Sequence, residues 1–256
     1  MPDGGGVPVR AVIFDWGGTL TPWHTVDVPG IWRRTYAERA YPDNPDAAAA
    51  LAQTLTEVDA ELWASGRAAH RSARLEDVLA GSAQRLQIPI EHVATAPGHT
   101  AYQSAWEPHT FTDPEVAPLW TWLRSEGIAV GVLSNTIWSR DYHRGVFARD
   151  GVLHLIDADV YTSEIEVVKP HADAFRLAAE AVEVDPKECV YVGDRLYEDV
   201  WGPQQVGMRA IHIPHSTIPE DQVVPVDVTP DATAHALADV AGIVSGWQST
   251  ASAPPR

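Results

Sequence analysis

Short, mostly apolar runs recur along the chain at 9–14, 129–133, 158–161, 189–192 and 210–213. None alternates strictly between apolar and polar positions, so each predicts a strand buried on both faces rather than one lying against water. Turn or polar residues close each run, and a stretch of helical spacing usually follows. Strands of this kind separated by helices build a parallel sheet covered on both sides. The expected fold class is therefore α/β, a Rossmann-like doubly wound parallel sheet.

One interval breaks this rhythm. From 22 to 110 no run reads as a strand; Ala, Glu, Arg and Leu dominate, and apolar positions fall at helical spacing over 57–65 and 75–86. This predicts a helical cap domain over 22–110, inserted after the first strand, and a core assembled from 8–21 and 111–247. An insertion at that point is a candidate lid over the strand ends. Trp120, Trp122 and Leu123 fall on the helix expected to feed the second strand and are assigned to packing. Residues 1–7, rich in glycine, and 248–256, rich in Ser, Ala and Pro, lack periodicity and are expected to be disordered.

The chain has 256 residues, 45% of them hydrophobic, enough for one large or two modest cores. Its formal charge is −17, from 35 acidic against 18 basic residues, and no Lys/Arg cluster is on hand to neutralise a row of phosphates. Nucleic acid is thus not an expected partner. No apolar run precedes the first strand, so neither a signal peptide nor a membrane anchor is expected, and the cytoplasm is the expected compartment. The single cysteine, Cys189, lies in an apolar run and reads as a buried, inert thiol. Lysine occurs only at Lys169 and Lys187, which narrows the choice of a catalytic amine.

In an open parallel sheet, ligands gather beyond the carboxyl ends of the strands. Three runs end on polar residues there: 11–14 leads to Asp15, 130–133 to Ser134 and Asn135, and 190–192 through Gly193 to Asp194. Singly, each is what any buried strand needs at its end. Together, with Lys169-Pro170 between the second and third, they resemble the four motifs of the haloacid dehalogenase-like superfamily, in that family's order. The matching stretches are Phe14-Asp15-Trp16-Gly17-Gly18-Thr19-Leu20, Leu133-Ser134-Asn135-Thr136, Val168-Lys169-Pro170-His171-Ala172-Asp173-Ala174-Phe175 and Val192-Gly193-Asp194-Arg195-Leu196-Tyr197-Glu198-Asp199. The resemblance covers about 9 to 243, weakly at its end. A Gly-Asp followed by a second Asp five residues on is the metal-binding form of the last motif, and the helical insertion is similar to the family's C1 cap.

The resemblance implies a Mg2+-dependent hydrolase, most simply a phosphatase acting on a small phosphorylated metabolite. Asp15 is then the nucleophile, forming an aspartyl phosphate that water cleaves. Asp15, Asp194 and the backbone carbonyl of Gly17 are the implied Mg2+ ligands, with Asp199 supporting the ion through water or from behind. Ser134, with Asn135 beside it, is implied to bind a phosphoryl oxygen, and Lys169 to balance the charge of the nucleophile and the transferring group.

One position departs from the pattern. Phosphatases of the family carry a second aspartate two residues after the nucleophile, and here that residue is Gly17. Its absence removes acid/base help worth roughly 10²- to 10⁴-fold. Substrates with good leaving groups, a substitute side chain such as His24 from the lid, or binding with little turnover are the open alternatives. Phosphonate-cleaving relatives, which use a cap lysine, are argued against because 22–110 contains none. Haloacid dehalogenases also lack the second aspartate, but Asp194 and Asp199 stand against that reading. Trp16, Trp23, Trp138 and Trp201 fall in or after the motif loops and are weighed as an aromatic rim against plain packing. His212 and His215 are assigned to a loop rather than to a metal pair.

Overall fold

The computed structural model describes residues 7–22, 25–218 and 222–251. Six parallel strands, β1 (Ala11–Phe14), β2 (Ala129–Ser134), β3 (Ala158–Tyr161), β4 (Cys189–Gly193), β5 (Arg209–His212) and β6 (Ala232–Thr233), form one sheet in the order β3-β2-β1-β4-β5-β6. β1 is buried at every position, as its unbroken apolar run requires. Alternation of side chains across the sheet sends Val12 and Phe14 into one apolar layer and Ala11 and Ile13 into the other.

The helical elements are α1 (28–40), α2 (Pro45–Ala69), α3 (Leu75–Leu86), α4 (Ala96–Trp106), α5 (Val116–Ser125), α6 (Arg140–Arg149), α7 (Ala172–Ala181), α8 (196–204) and α9 (Asp239–Ala251). Val116, Trp120 and Leu123 of α5 and Val240 and Val244 of α9 pack on the first layer, while Ala174, Phe175 and Ala178 of α7 pack on the second. The sheet is thus sandwiched between helices. β2 and β3 lie on one side of β1 and β4 on the other, so the chain reverses direction across the sheet at β1 and β4. The crevice at such a reversal opens at the carboxyl ends of the strands.

α1 to α4 occupy the strand-free interval. Trp32, Tyr36, Leu51, Leu55, Val78, Leu79 and Tyr102 form their own apolar cluster, joined by Ile137 and Trp138 from the loop after β2. Trp138 is sandwiched between Tyr102, at 5.0 Å and 26°, and Tyr142, at 4.1 Å and 15°. The turn between α2 and α3 runs against the segment ahead of Lys169. Arg74 Nε donates to Ser163 O at 2.7 Å, Ser72 Oγ to Ile165 O at 2.5 Å, and Val168 N to His70 O at 3.3 Å.

Within these helices Asp59 accepts a hydrogen bond from Trp32 Nε1 at 3.4 Å, while its Oδ1 is buried without a partner. Burial pushes the Asp59 carboxyl from 3.8 up to about 6, against the pull of the Trp32 and Trp63 indoles. The folded state therefore holds this proton more tightly than the unfolded chain. That stabilisation is complete below pH 3.8 and is lost as pH rises through about 6. Between pH 4 and 8 the native protein should lose roughly 2–3 kcal/mol that Asp59→Asn does not lose, read from denaturant melts of both across the range.

Two boundaries differ from expectation. Residues 248–251 are helical rather than disordered, because α9 continues to Ala251 and the Gln248 carboxamide pairs with the Val9 backbone, donating to Val9 O at 2.7 Å and accepting from Val9 N at 3.2 Å. Val7 is likewise placed, its carbonyl accepting from Arg209 Nη2 at 2.9 Å. Residues 1–6 and 252–256 lie outside the described residues. β6 has only two residues, too few to show a period. Cys189 is buried at the start of β4, and burial raises its thiol to about 12, which keeps it unreactive at neutral pH.

Candidate active site

Asp15 follows β1 directly, its backbone N–H donating to Val192 O of β4 at 2.9 Å. Asp194 follows β4, Ser134 ends β2, and Asp199 sits on the wide π-helical turn that opens α8. All four are at most 5% exposed. Carboxylate oxygens of Asp15, Asp194 and Asp199 lie within 4.8 Å of one another. Into this group projects Lys169, itself 3% exposed. Its Nζ donates to Asp15 Oδ1 at 2.8 Å, Asp199 Oδ1 at 2.7 Å and the Tyr191 hydroxyl at 2.9 Å. Lys169-Pro170 is a cis peptide.

The Asn135 side chain is occupied within the protein. It is engaged with the Lys169 backbone, accepting from Lys169 N at 2.8 Å and donating to Lys169 O at 3.1 Å. A buried lysine on a loop needs its backbone fixed for Nζ to reach two carboxylates, and this clamp, made by the residue that follows β2, supplies that. Asp199 is held similarly, with Arg195 N donating to its Oδ2 at 3.0 Å.

Three carboxylates stand beside one ammonium in a buried site, and the electrostatics record the imbalance. Burial pushes Asp194 up to about 8, and the charges of Asp199 and Asp15 add to the rise. Asp15 is raised as well, first by burial, with Lys169 opposing. Burial pulls Lys169 down, but Asp15 and Asp199 overcome it and hold the ammonium well above its ordinary value. Asp194 Oδ1 is buried with no hydrogen-bond partner, an unfavourable state for a carboxylate oxygen unless something else binds it. An all-oxygen, net-negative donor set with an orphaned oxygen is suited to a hard cation.

The site depends on two glycines. Gly18 has φ +88°, and a Cβ there would stand 2.4 Å from Asp194 Oδ2; at Gly193 it would stand 2.4 Å from Asp199 Cβ. Gly18→Ala should therefore cost about 1–3 kcal/mol and displace Asp194. Denaturant melts and calorimetric titration with a divalent cation would read both losses, and a variant equal to the native protein in both would refute this account of the loop.

Other marked residues prove structural. Trp16 and Trp138 are each 8% exposed and packed in the interior, and Trp201 stacks on Tyr197 at 5.3 Å, so no rim forms among them. Trp23 and His24 lie outside the described residues. His212 and His215 each turn Nε2 toward a backbone carbonyl, of Asp194 at 3.0 Å and Gly18 at 2.8 Å, and so brace the two carboxylate loops. His143 is fully buried against Trp16 and Tyr161, and burial lowers it to about 3, which leaves it neutral. Two residues that sequence reasoning passed over belong to the site: Tyr191, and Glu198, a buried carboxyl raised first by burial and then by Asp199. The run around Tyr191 signals only a strand, and the place of Glu198 beside Asp199 was the one available hint.

A doubly wound parallel sheet with carboxylates beyond two adjacent strands and a buried lysine between them defines an α/β protein with an acid–lysine centre at its topological switch. The chain belongs to the haloacid dehalogenase-like hydrolases, whose family model matches residues 9–207. It is 34% identical over 100 residues to a glyceraldehyde 3-phosphate phosphatase of Methanopyrus kandleri, covering 39% of this chain and 42% of that protein. It is 31% identical over 108 residues to a phosphoserine phosphatase of Thermus thermophilus, covering 42% and 43%. The chain thus spans less than half the length of these curated relatives. Among solved structures, a 2-haloacid dehalogenase from Pseudomonas syringae pv. Tomato DC3000 aligns with TM-score 0.65 at 21% identity, and a phosphatase of the family from Thermococcus onnurineus with 0.61 at 20%. Each covers 93% of this chain and 99% of its own. At such identities they speak for the fold alone.

Proposed function

We propose that the protein is a Mg2+-dependent hydrolase of small phosphorylated metabolites, working through an aspartyl phosphate on Asp15. The observation that carries this reading is the buried Asp15, Asp194 and Asp199 group with an orphaned Asp194 oxygen, complemented by Lys169. Asp15 Oδ attacks phosphorus, and the bond from phosphorus to the leaving oxygen breaks with its electron pair on that oxygen. Water then attacks the phosphorus of the acyl phosphate, releasing inorganic phosphate and restoring the carboxylate. Asp15, Asp194 and the Gly17 carbonyl would hold Mg2+, which supplies charge to offset repulsion between two anions. Asp199, with one oxygen on Lys169 and the other on Arg195 N, acts from behind these ligands. Ser134, at the end of β2, binds a phosphoryl oxygen, and Lys169 neutralises the transferring group from its buried post. The helices over 22–110 act as the cap, closing the crevice from above.

Phosphatase names among the curated relatives support this class, although none fixes the substrate. Against dehalogenation stand Asp194 and Asp199, which with Asp15 form an all-oxygen group suited to a cation that metal-independent attack on carbon does not use. A second reading, binding of a phosphorylated ligand with little turnover, is favoured by Gly17 alone. Release of p-nitrophenol from its phosphate ester decides between them. Turnover that requires Mg2+ and vanishes with EDTA is the expected result. No release across a panel of phosphate esters would instead support the binding protein, and metal-independent halide release from a 2-haloacid would support the dehalogenase.

A further inference from the structure

We propose that Tyr191 is a positioning residue for Lys169, its hydroxyl fixing the ammonium against Asp15 by relaying a hydrogen bond to the Leu133 carbonyl of β2. The proposal rests on the reading of Lys169 as the cation that accompanies phosphoryl transfer. An ammonium has three donors and no acceptor. Two of those of Lys169 meet Asp15 and Asp199, and the third meets the Tyr191 hydroxyl at 2.9 Å. That hydroxyl spends its own proton on Leu133 O at 2.8 Å. The chain of bonds therefore crosses from β4 to β2, tying the lysine to the residue that precedes Ser134.

Every member is buried: Lys169 is 3% exposed, and Tyr191, Leu133 and Asp199 are 0% exposed. In such surroundings an ammonium proton without an acceptor is unfavourable, and Nζ would turn away from Asp15 to find one. The tyrosine is itself immobilised, since its ring meets Phe175 edge-on at 5.2 Å and 83°. Packing and positioning are thus separable: Phe at 191 keeps the ring and its contact with Phe175 and removes only the relay.

Tyr191→Phe is expected to stay folded with a modestly lowered melting temperature, while kcat on p-nitrophenyl phosphate falls roughly 10- to 100-fold at unchanged KM. Because Tyr191 acts through Lys169, the double variant Lys169→Met, Tyr191→Phe should be no slower than Lys169→Met alone, and losses that multiply would overturn the proposal. A second readout does not depend on turnover. The chain has only two lysines, so 15N-lysine labelling yields two ammonium signals. The Lys169 protons should exchange slowly in the native protein and markedly faster in Tyr191→Phe; equal exchange overturns the assignment. A native protein that hydrolyses no phosphate ester would defeat the phosphatase reading and leave the exchange measurement to decide the role of Tyr191. If the variant does not fold, magnetisation transfer between the Lys169 ammonium and the Tyr191 ring in the native protein decides, and its absence refutes the relay.

Discussion

Asp15→Asn is expected to reduce phosphate-ester hydrolysis by roughly 10⁴-fold or more while the protein stays folded. The amide oxygen still accepts from Lys169 Nζ, so the buried ammonium keeps its partner, but a carboxamide does not form the acyl phosphate. Folding should not suffer. Burial already raises Asp15, and Asp199 adds to that rise, so removing its charge relieves a crowded group of carboxylates. The measurement is kcat beside a melt, with mass spectrometry of the quenched native enzyme to detect phosphate on Asp15. Unchanged turnover in the variant would remove Asp15 from the mechanism.

Gly17→Asp should act in the opposite direction, raising turnover by about 10²- to 10⁴-fold by restoring a general acid and base. Residue 17 lies two positions beyond Asp15, in the turn that follows β1. The structure has room for the change, because a Cβ at Gly17 would meet nothing within 4 Å. Nothing in the packing therefore requires a glycine there. In the native protein, rapid kinetics should show a burst of p-nitrophenol and then slow turnover, with the slow phase accelerated in the variant. A folded variant no faster than the native protein in either phase would mean that the second carboxylate is not what the site lacks, and ligand binding would become the leading reading.

Three described histidines near the carboxylate loops are engaged otherwise. His143 is neutral and enclosed, and His212 and His215 face backbone carbonyls. No helix among the described residues is long and apolar enough to cross a membrane.

Much of the core was legible in one dimension. Runs at 11–14, 129–133 and 189–192 had no polar alternation, and a strand buried on both faces permits none; that property is local and survives without knowledge of neighbours. The residues closing those runs were legible for the same reason, since a strand's end fixes where the next side chain emerges. Asp15, Ser134 and Asp194 could be singled out before any contact was known. The helical interval was readable through its period, and Lys169 through its scarcity and its proline.

What tertiary structure decided was every relation between distant positions. The Asn135 carboxamide meets the Lys169 backbone, 34 residues away, a pairing that no spacing announces. Gln248 looked like part of a loose tail until it paired with Val9, 239 residues distant, because terminal order comes from a partner and not from composition. For Trp16 and Trp138 the sequence leaves an aromatic rim and plain packing both open, and the fold places them inside. Tyr191 carried no signal beyond β-propensity, since its role lies in where one hydroxyl ends up after three strands are laid side by side. The period of each element and the residue types at strand ends depend on short-range geometry and are legible along the chain. Which buried donors meet which acceptors was settled only by the fold, because a hydrogen bond is specified to tenths of an ångström and no spacing along a chain carries that information.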